Sequence, residues 1–130
     1  MQYALLVTGD PYQSKACHSA LRFIKSALEH PTAQITGVFF YQDAVQIGNS
    51  LTQPPRDEVN LLAAWQSLSE EHGVPLYLCI AAAVRRGILS KDEATRYEAT
   101  QFNLAPQFQL EGLGTLVELM NSTNKVIQFR

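Results

Sequence analysis

The sequence predicts an α/β protein: a three-layer α/β/α sandwich on a mostly parallel sheet of about five strands. Two patterns predict it. Short apolar runs of strand length alternate with segments of helical periodicity along all 130 residues. The connections between the runs are long enough for the crossovers that join parallel strands. Composition agrees: 46% hydrophobic and 17% charged residues supply a core for one domain spanning residues 1–130 and argue against disorder.

Tyr3 to Val7 is an apolar run without polar alternation, the signature of a strand covered on both faces, and Thr8-Gly9-Asp10-Pro11 is its turn signal. From about Ser14 to His30, Cys17, Leu21, Ile24 and Leu28 fall on one helical face and His18, Arg22, Lys25 and Glu29 on another, with Pro31 as the stop. Ile35 to Tyr41 is a second strand, rich in β-branched and aromatic residues, and Ala44 to Gly48 reads as a further short strand or the start of an excursion. A loop through Pro54-Pro55 leads to a helix that Asp57 and Glu58 open, with Leu61, Leu62, Trp65 and Leu68 as its buried stripe and His72-Gly73 as its close. Leu76 to Ile80 is the third strand. A short helix from Ala81 to Arg86 follows at once, with Gly87 as a left-handed stop. Ser90-Lys91-Asp92-Glu93 is spaced as a capping box for a helix to about Thr100. Phe102 to Glu111 is irregular or partly extended. Leu113, Leu116, Val117 and Met120 mark an amphipathic helix, and Lys125 to Phe129 is the last strand.

Several function classes drop out. The net charge of −2 is not a nucleic-acid footprint. No apolar run has the length of a membrane span, and the first residues do not read as a signal peptide. The cytoplasm is therefore the expected compartment. Two cysteines, Cys17 and Cys79, make neither a disulfide framework nor a metal knuckle. The single glycine after the first strand makes neither a dinucleotide fingerprint nor a phosphate-binding loop.

Chemistry is expected where parallel strands end. Cys79 stands at the end of the third strand, just before a helix whose first N–H groups and dipole stabilise thiolate over thiol. Free cysteines are also among the most buried residues, so reactive thiol and core packing are both open readings. Cys17 shares the apolar stripe of its helix and reads as an inert core thiol. No histidine can be placed beside Cys79. Arg85 and Arg86 read as solvated, or as a positive surface near the thiol for an acidic partner or a phosphate.

The chain resembles the sulfurtransferase subunits of the DsrE-like family over essentially its whole length. The resemblance rests on Val7-Thr8-Gly9 with Tyr12, Val38-Phe39-Phe40-Tyr41, and Asp57-Glu58 before Ala64-Trp65-Gln66. It continues through His72-Gly73-Val74, Cys79, Ala81-Ala82-Ala83, Arg85-Arg86-Gly87, Leu110-Glu111-Gly112-Leu113-Gly114 and Val126-Ile127-Gln128-Phe129. It implies sulfur relay toward 2-thiolation of the tRNA wobble uridine, with Cys79 as the catalytic residue and no cofactor or metal. It also implies a heterohexamer with the sister subunits TusB and TusC, two copies of each, a transient donor TusA and a transient acceptor TusE. Direct tRNA contact is not expected. Two other readings fit the same residues: a noncatalytic subunit of such an assembly, with Cys79 as core packing, and a DsrE-type carrier of sulfur oxidation. The catalytic reading expects an accessible Cys79 and an apolar surface for the sister subunits.

Overall fold

The computed structural model describes residues 1–130. Five parallel strands form one sheet in the order β4-β3-β2-β1-β5, as the α/β pattern requires. They are β1 (Gln2–Val7), β2 (Gln34–Phe40), β3 (Leu76–Cys79), β4 (Phe108–Glu111) and β5 (Lys125–Phe129). The helices are α1 (Ala16–Ala27), α2 (Leu61–His72), α3 (Ile80–Arg85), α4 (Lys91–Arg96) and α5 (Leu113–Ser122). The chain builds outward from β1 to β4 and then returns through α5 to place β5 on the other side of β1.

That reversal assigns the layers. Side chains of alternate strand residues point to opposite faces. Tyr3 of β1 meets Phe23 of α1 edge to face at 5.4 Å, and Phe40 of β2 meets Trp65 of α2 in the same way at 5.1 Å. With Val7 opposite Phe40 in register, α1 and α2 share one face of the sheet. The opposite face takes α5. A Cβ on Gly37 of β2 would lie 3.0 Å from Leu119 of α5 and 3.2 Å from Tyr77 of β3, so the missing side chain is what lets α5 sit so close. Trp65, Phe39, Phe40, Leu5 and Leu76 are fully buried at the centre of the core.

Several expected boundaries move, each for a local reason. The helix expected to open at Asp57 and Glu58 begins at Leu61, because the Asn60 side chain accepts the Ala63 N–H at 3.0 Å and is the better cap. Residues Gln42–Gly48 form a 3₁₀ helix rather than a strand; its Ala44, Val45, Ile47 and Gly48 are buried. Ser90 caps Glu93 N–H at 3.1 Å as the motif predicts, but α4 stops at Arg96, with Glu98 at φ 57 turning the chain back. Gly73 and Gly87 are left-handed at φ 66 and 76, the helix stops read from the sequence. The segment expected to be irregular yields β4. It is held in place because Ala105 N–H donates to Gly48 O at 2.8 Å and Asn103 Nδ2 donates to Asn49 Oδ1 at 3.1 Å.

The expected amphipathic helix is α5. Of the expected stripe, Leu113, Val117 and Met120 are 46%, 53% and 52% exposed, and it is Leu119 that is buried. Val126 and Gln128 on the neighbouring edge strand are exposed too. The third layer is thin, and its outer surface is apolar.

Trp65 anchors α2 in the core with no solvent exposure. Trp65→Ala is expected to lower stability by about 3–5 kcal/mol, read as a shift in the urea midpoint with an unchanged slope.

Candidate functional site around Cys79

The β3–α3 junction has no loop. Cys79 is the last residue of β3 and the N-cap of α3, with φ −57 and ψ 118. Its backbone pairs in register with Glu111 at the end of β4. Strand alternation puts its side chain with Tyr77, on the face that carries α5. Glu111 is in turn held by α5, because Thr115 Oγ1 donates to its carboxylate at 3.2 Å. The thiol thus sits where three elements end or begin.

The expected accessible thiol is not what the folded chain presents. Cys79 is 3% exposed and belongs to the main apolar core. The reason lies in the connection: with no loop after β3, α3 packs at once on β3, β4 and the 3₁₀ segment. The Cys79 side chain makes no capping hydrogen bond, and α3 has only six residues.

Beside the burial of Ala82 and Ala83, α3 is positioned by an ion pair that sequence spacing did not reveal. Arg86 follows α3, and its Nε and Nη2 both donate to Asp43 Oδ1, at 3.1 and 2.9 Å, while Nη1 donates to Ala82 O at 3.0 Å. Arg86 is therefore engaged rather than solvated. It ties the end of α3 to the 3₁₀ segment after β2. The two residues are 43 apart in the chain, and no periodicity joins them. Arg85, by contrast, is exposed as expected.

Next to the junction lies a cleft of about 360 Å³ between α3 and α4. Ile80, Ala81, Val84 and Tyr97 give it apolar walls, and Arg85, Glu93 and Arg96 give it charge. A larger cleft of about 720 Å³ lies between the loop after β1 and the approach to α2, lined by Tyr12, Lys15, His18, Thr52 and Glu58 among others. Neither Cys79 nor any residue of α3 reaches it. Asp10 shapes that loop by accepting the N–H groups of Tyr12 and Gln13, both at 2.7 Å, in a tight turn. Burial pushes the Tyr12 phenol above its ordinary value.

Cys17 matches the inert reading. It is fully buried, and burial, with Asp10 nearby adding repulsion, pushes its thiol up to about 12. No group of three or more His, Cys, Asp or Glu residues is placed to hold a metal. No helix is long and apolar enough to cross a membrane.

The DsrE/DsrF-like family model matches residues 1–129. The sequence is 46% identical to the sulfurtransferase TusD homolog of Vibrio parahaemolyticus, over 99% of this chain and 98% of that one. It is 45% identical to sulfurtransferase TusD of Salmonella enteritidis, over 99% of this chain and all of the relative. The crystal structure of the ychN protein from E. coli superposes with a TM-score of 0.77 at 24% identity, covering 99% of this chain and 100% of that one. At that identity the likeness shows the shared fold.

Because the native fold keeps Cys17 protonated up to about 12 while an ordinary thiol ionises near 9.0, its contribution to stability is intact below 9.0 and is lost as pH rises through that window. The wild-type denaturation midpoint is expected to fall above about pH 9, and that of Cys17→Ala to fall less. In the native protein at about pH 8, iodoacetamide should leave Cys17 unmodified until denaturant is added.

Proposed function

This chain belongs to the DsrE/DsrF-like family, and on that premise we propose that it is a sulfur-relay sulfurtransferase subunit that accepts persulfide sulfur on Cys79. The observation that carries the proposal is full-length similarity to proteins named sulfurtransferase TusD. The position of Cys79 at the end of a parallel strand, opposite Glu111 and at the start of α3, supports the choice of this residue.

The Cys79 thiolate attacks the outer sulfur of a donor persulfide R–S–SH. The donor S–S bond breaks, R–S⁻ leaves, and Cys79–S–SH forms. An acceptor thiolate then takes the outer sulfur and restores the Cys79 thiolate. Each step is an exchange at sulfur, governed by thiolate fraction, leaving group and access, and no electrons are gained or lost overall. One cysteine suffices, because donor and acceptor thiols belong to other proteins. Cys17, buried and protonated, takes no part.

The relay serves 2-thiolation of the tRNA wobble uridine in the cytoplasm, with a TusA-type donor and a TusE-type acceptor. TusB- and TusC-type sister subunits complete a heterohexamer with two copies of each chain, and the thiolating enzyme rather than this chain meets the tRNA. The apolar stripe Leu113, Val117 and Met120 on the thin third layer supports assembly of this kind. Strand alternation turns Cys79 toward that same layer, so a docked sister subunit lies near the thiol. At 3% exposure Cys79 is closed to a carrier in the free chain, so transfer needs movement at the β3–α3 junction when the carrier docks. The same burial favours a second reading, a noncatalytic subunit in which Cys79 only packs.

One experiment separates the two readings: intact mass of wild type and Cys79→Ser, within the sister-subunit assembly, after mixing with a persulfide-loaded carrier. A reducible gain of one sulfur on this chain in wild type alone is the expected result. Gain on both would move the chemistry away from Cys79, and gain on neither would favour the packing reading. A further expectation concerns assembly. Val117→Glu with Met120→Glu should prevent co-elution with the sister subunits while leaving the far-ultraviolet dichroism of the isolated chain unchanged.

A further inference from the structure

The cleft between α3 and α4 begins one residue after Cys79, at Ile80. Its charges are unbalanced. Arg85 is exposed and makes no ion pair or side-chain hydrogen bond, since the neighbouring Arg86 alone engages Asp43. Arg96 is 69% exposed and meets Glu93 only at 3.8 Å, while its guanidinium lies 5.8 Å from the centre of the Tyr97 ring. Two guanidinium groups against one largely covered carboxylate leave the cleft positive in a chain whose net charge is −2. Ile80, Val84 and the 56% exposed Tyr97 add apolar surface between the charges.

We infer that this cleft is the docking groove for an acidic, extended segment of the carrier protein that exchanges sulfur with Cys79, with Arg85 and Arg96 binding its carboxylates. The inference rests on the sulfur-transfer reading above and names the partner chemistry of that site. A guanidinium binds carboxylates through paired donors, and the apolar walls fit side chains between them. Two cations around an apolar floor are a poor match to a nucleic-acid backbone, which needs a longer run of phosphate contacts. Ile80, Ala81, Val84 and Arg85 of α3 line the groove, so a segment seated in it lies against the helix that starts at Cys79.

The test measures the second-order rate of sulfur exchange between the assembled protein and TusA- and TusE-type carriers. It compares wild type, Arg85→Glu, Arg96→Glu and Arg85→Lys, with cysteine persulfide as a small donor that cannot span the cleft. With at least one carrier, each charge reversal should slow exchange by about tenfold and flatten its salt dependence. Arg85→Lys should retain most of the rate, and exchange with cysteine persulfide should be the same in all four proteins. Unchanged carrier rates in both reversals, or an equal loss with cysteine persulfide, would overturn the inference. So would inhibition of the wild type, but not of the reversals, by a short RNA oligomer and not by a glutamate-rich peptide, which would make the cleft a nucleic-acid site. Exchange that persists in Cys79→Ser would instead overturn the sulfur-transfer reading on which the inference rests.

Discussion

The direct passage from β3 into α3 at Cys79 is the constraint on which the rest of the site depends. A strand between two parallel neighbours has its end fixed by their register, and here Phe40 pairs with Leu78 on one side and Glu111 with Cys79 on the other. With no loop to absorb adjustment, the position of the thiol, the axis of α3 and the mouth of the neighbouring cleft are set together. Arg86 closes the arrangement from the far end of α3 by binding Asp43, so the short helix is held at both ends. A six-residue helix has little stability of its own, and contacts at its ends decide where it lies.

The two cysteines show how placement separates a structural thiol from a candidate reactive one. Both are buried. Cys17 lies inside α1, under its own helix and near the Asp10 carboxylate, where every influence holds the thiol neutral. Cys79 lies at an element boundary, with its side chain on the face that carries α5 and its neighbour Ile80 in the wall of the cleft between α3 and α4. A covered sulfur has a chemical advantage in a relay, because a persulfide shielded between encounters is not lost to other thiols.

Much of this was legible in the sequence, and what was not has a common cause. The strands with continuous apolar runs, the Gly73 and Gly87 stops and the Ser90 cap are local signals, and the structure has each where the sequence put it. Cys79 at a strand end before a helix was legible for the same reason. Its burial was one of two open readings, and the sequence could not decide between them because burial depends on packing against distant elements. The Arg86–Asp43 pair joins residues with no shared periodicity. β4 is only four residues long and is held by Asn103 and Ala105, contacts outside its own pattern. The α5 stripe was legible as the apolar face of an amphipathic helix, but not that Leu113, Val117 and Met120 lie on the surface while Leu119 is buried. Periodicity identifies an apolar face without saying whether this chain or another covers it.

Peptide mapping of the sulfur-loaded wild-type protein tests the central claim most directly. Trypsin separates the two thiols, with Cys17 in the fragment from Ala16 to Arg22 and Cys79 in the fragment from Asp57 to Arg85. After loading from a persulfide carrier and blocking of free thiols, the added sulfur should be found on the Cys79 fragment, with Cys17 unmodified. Added sulfur on the Cys17 fragment, or on neither, would contradict the account.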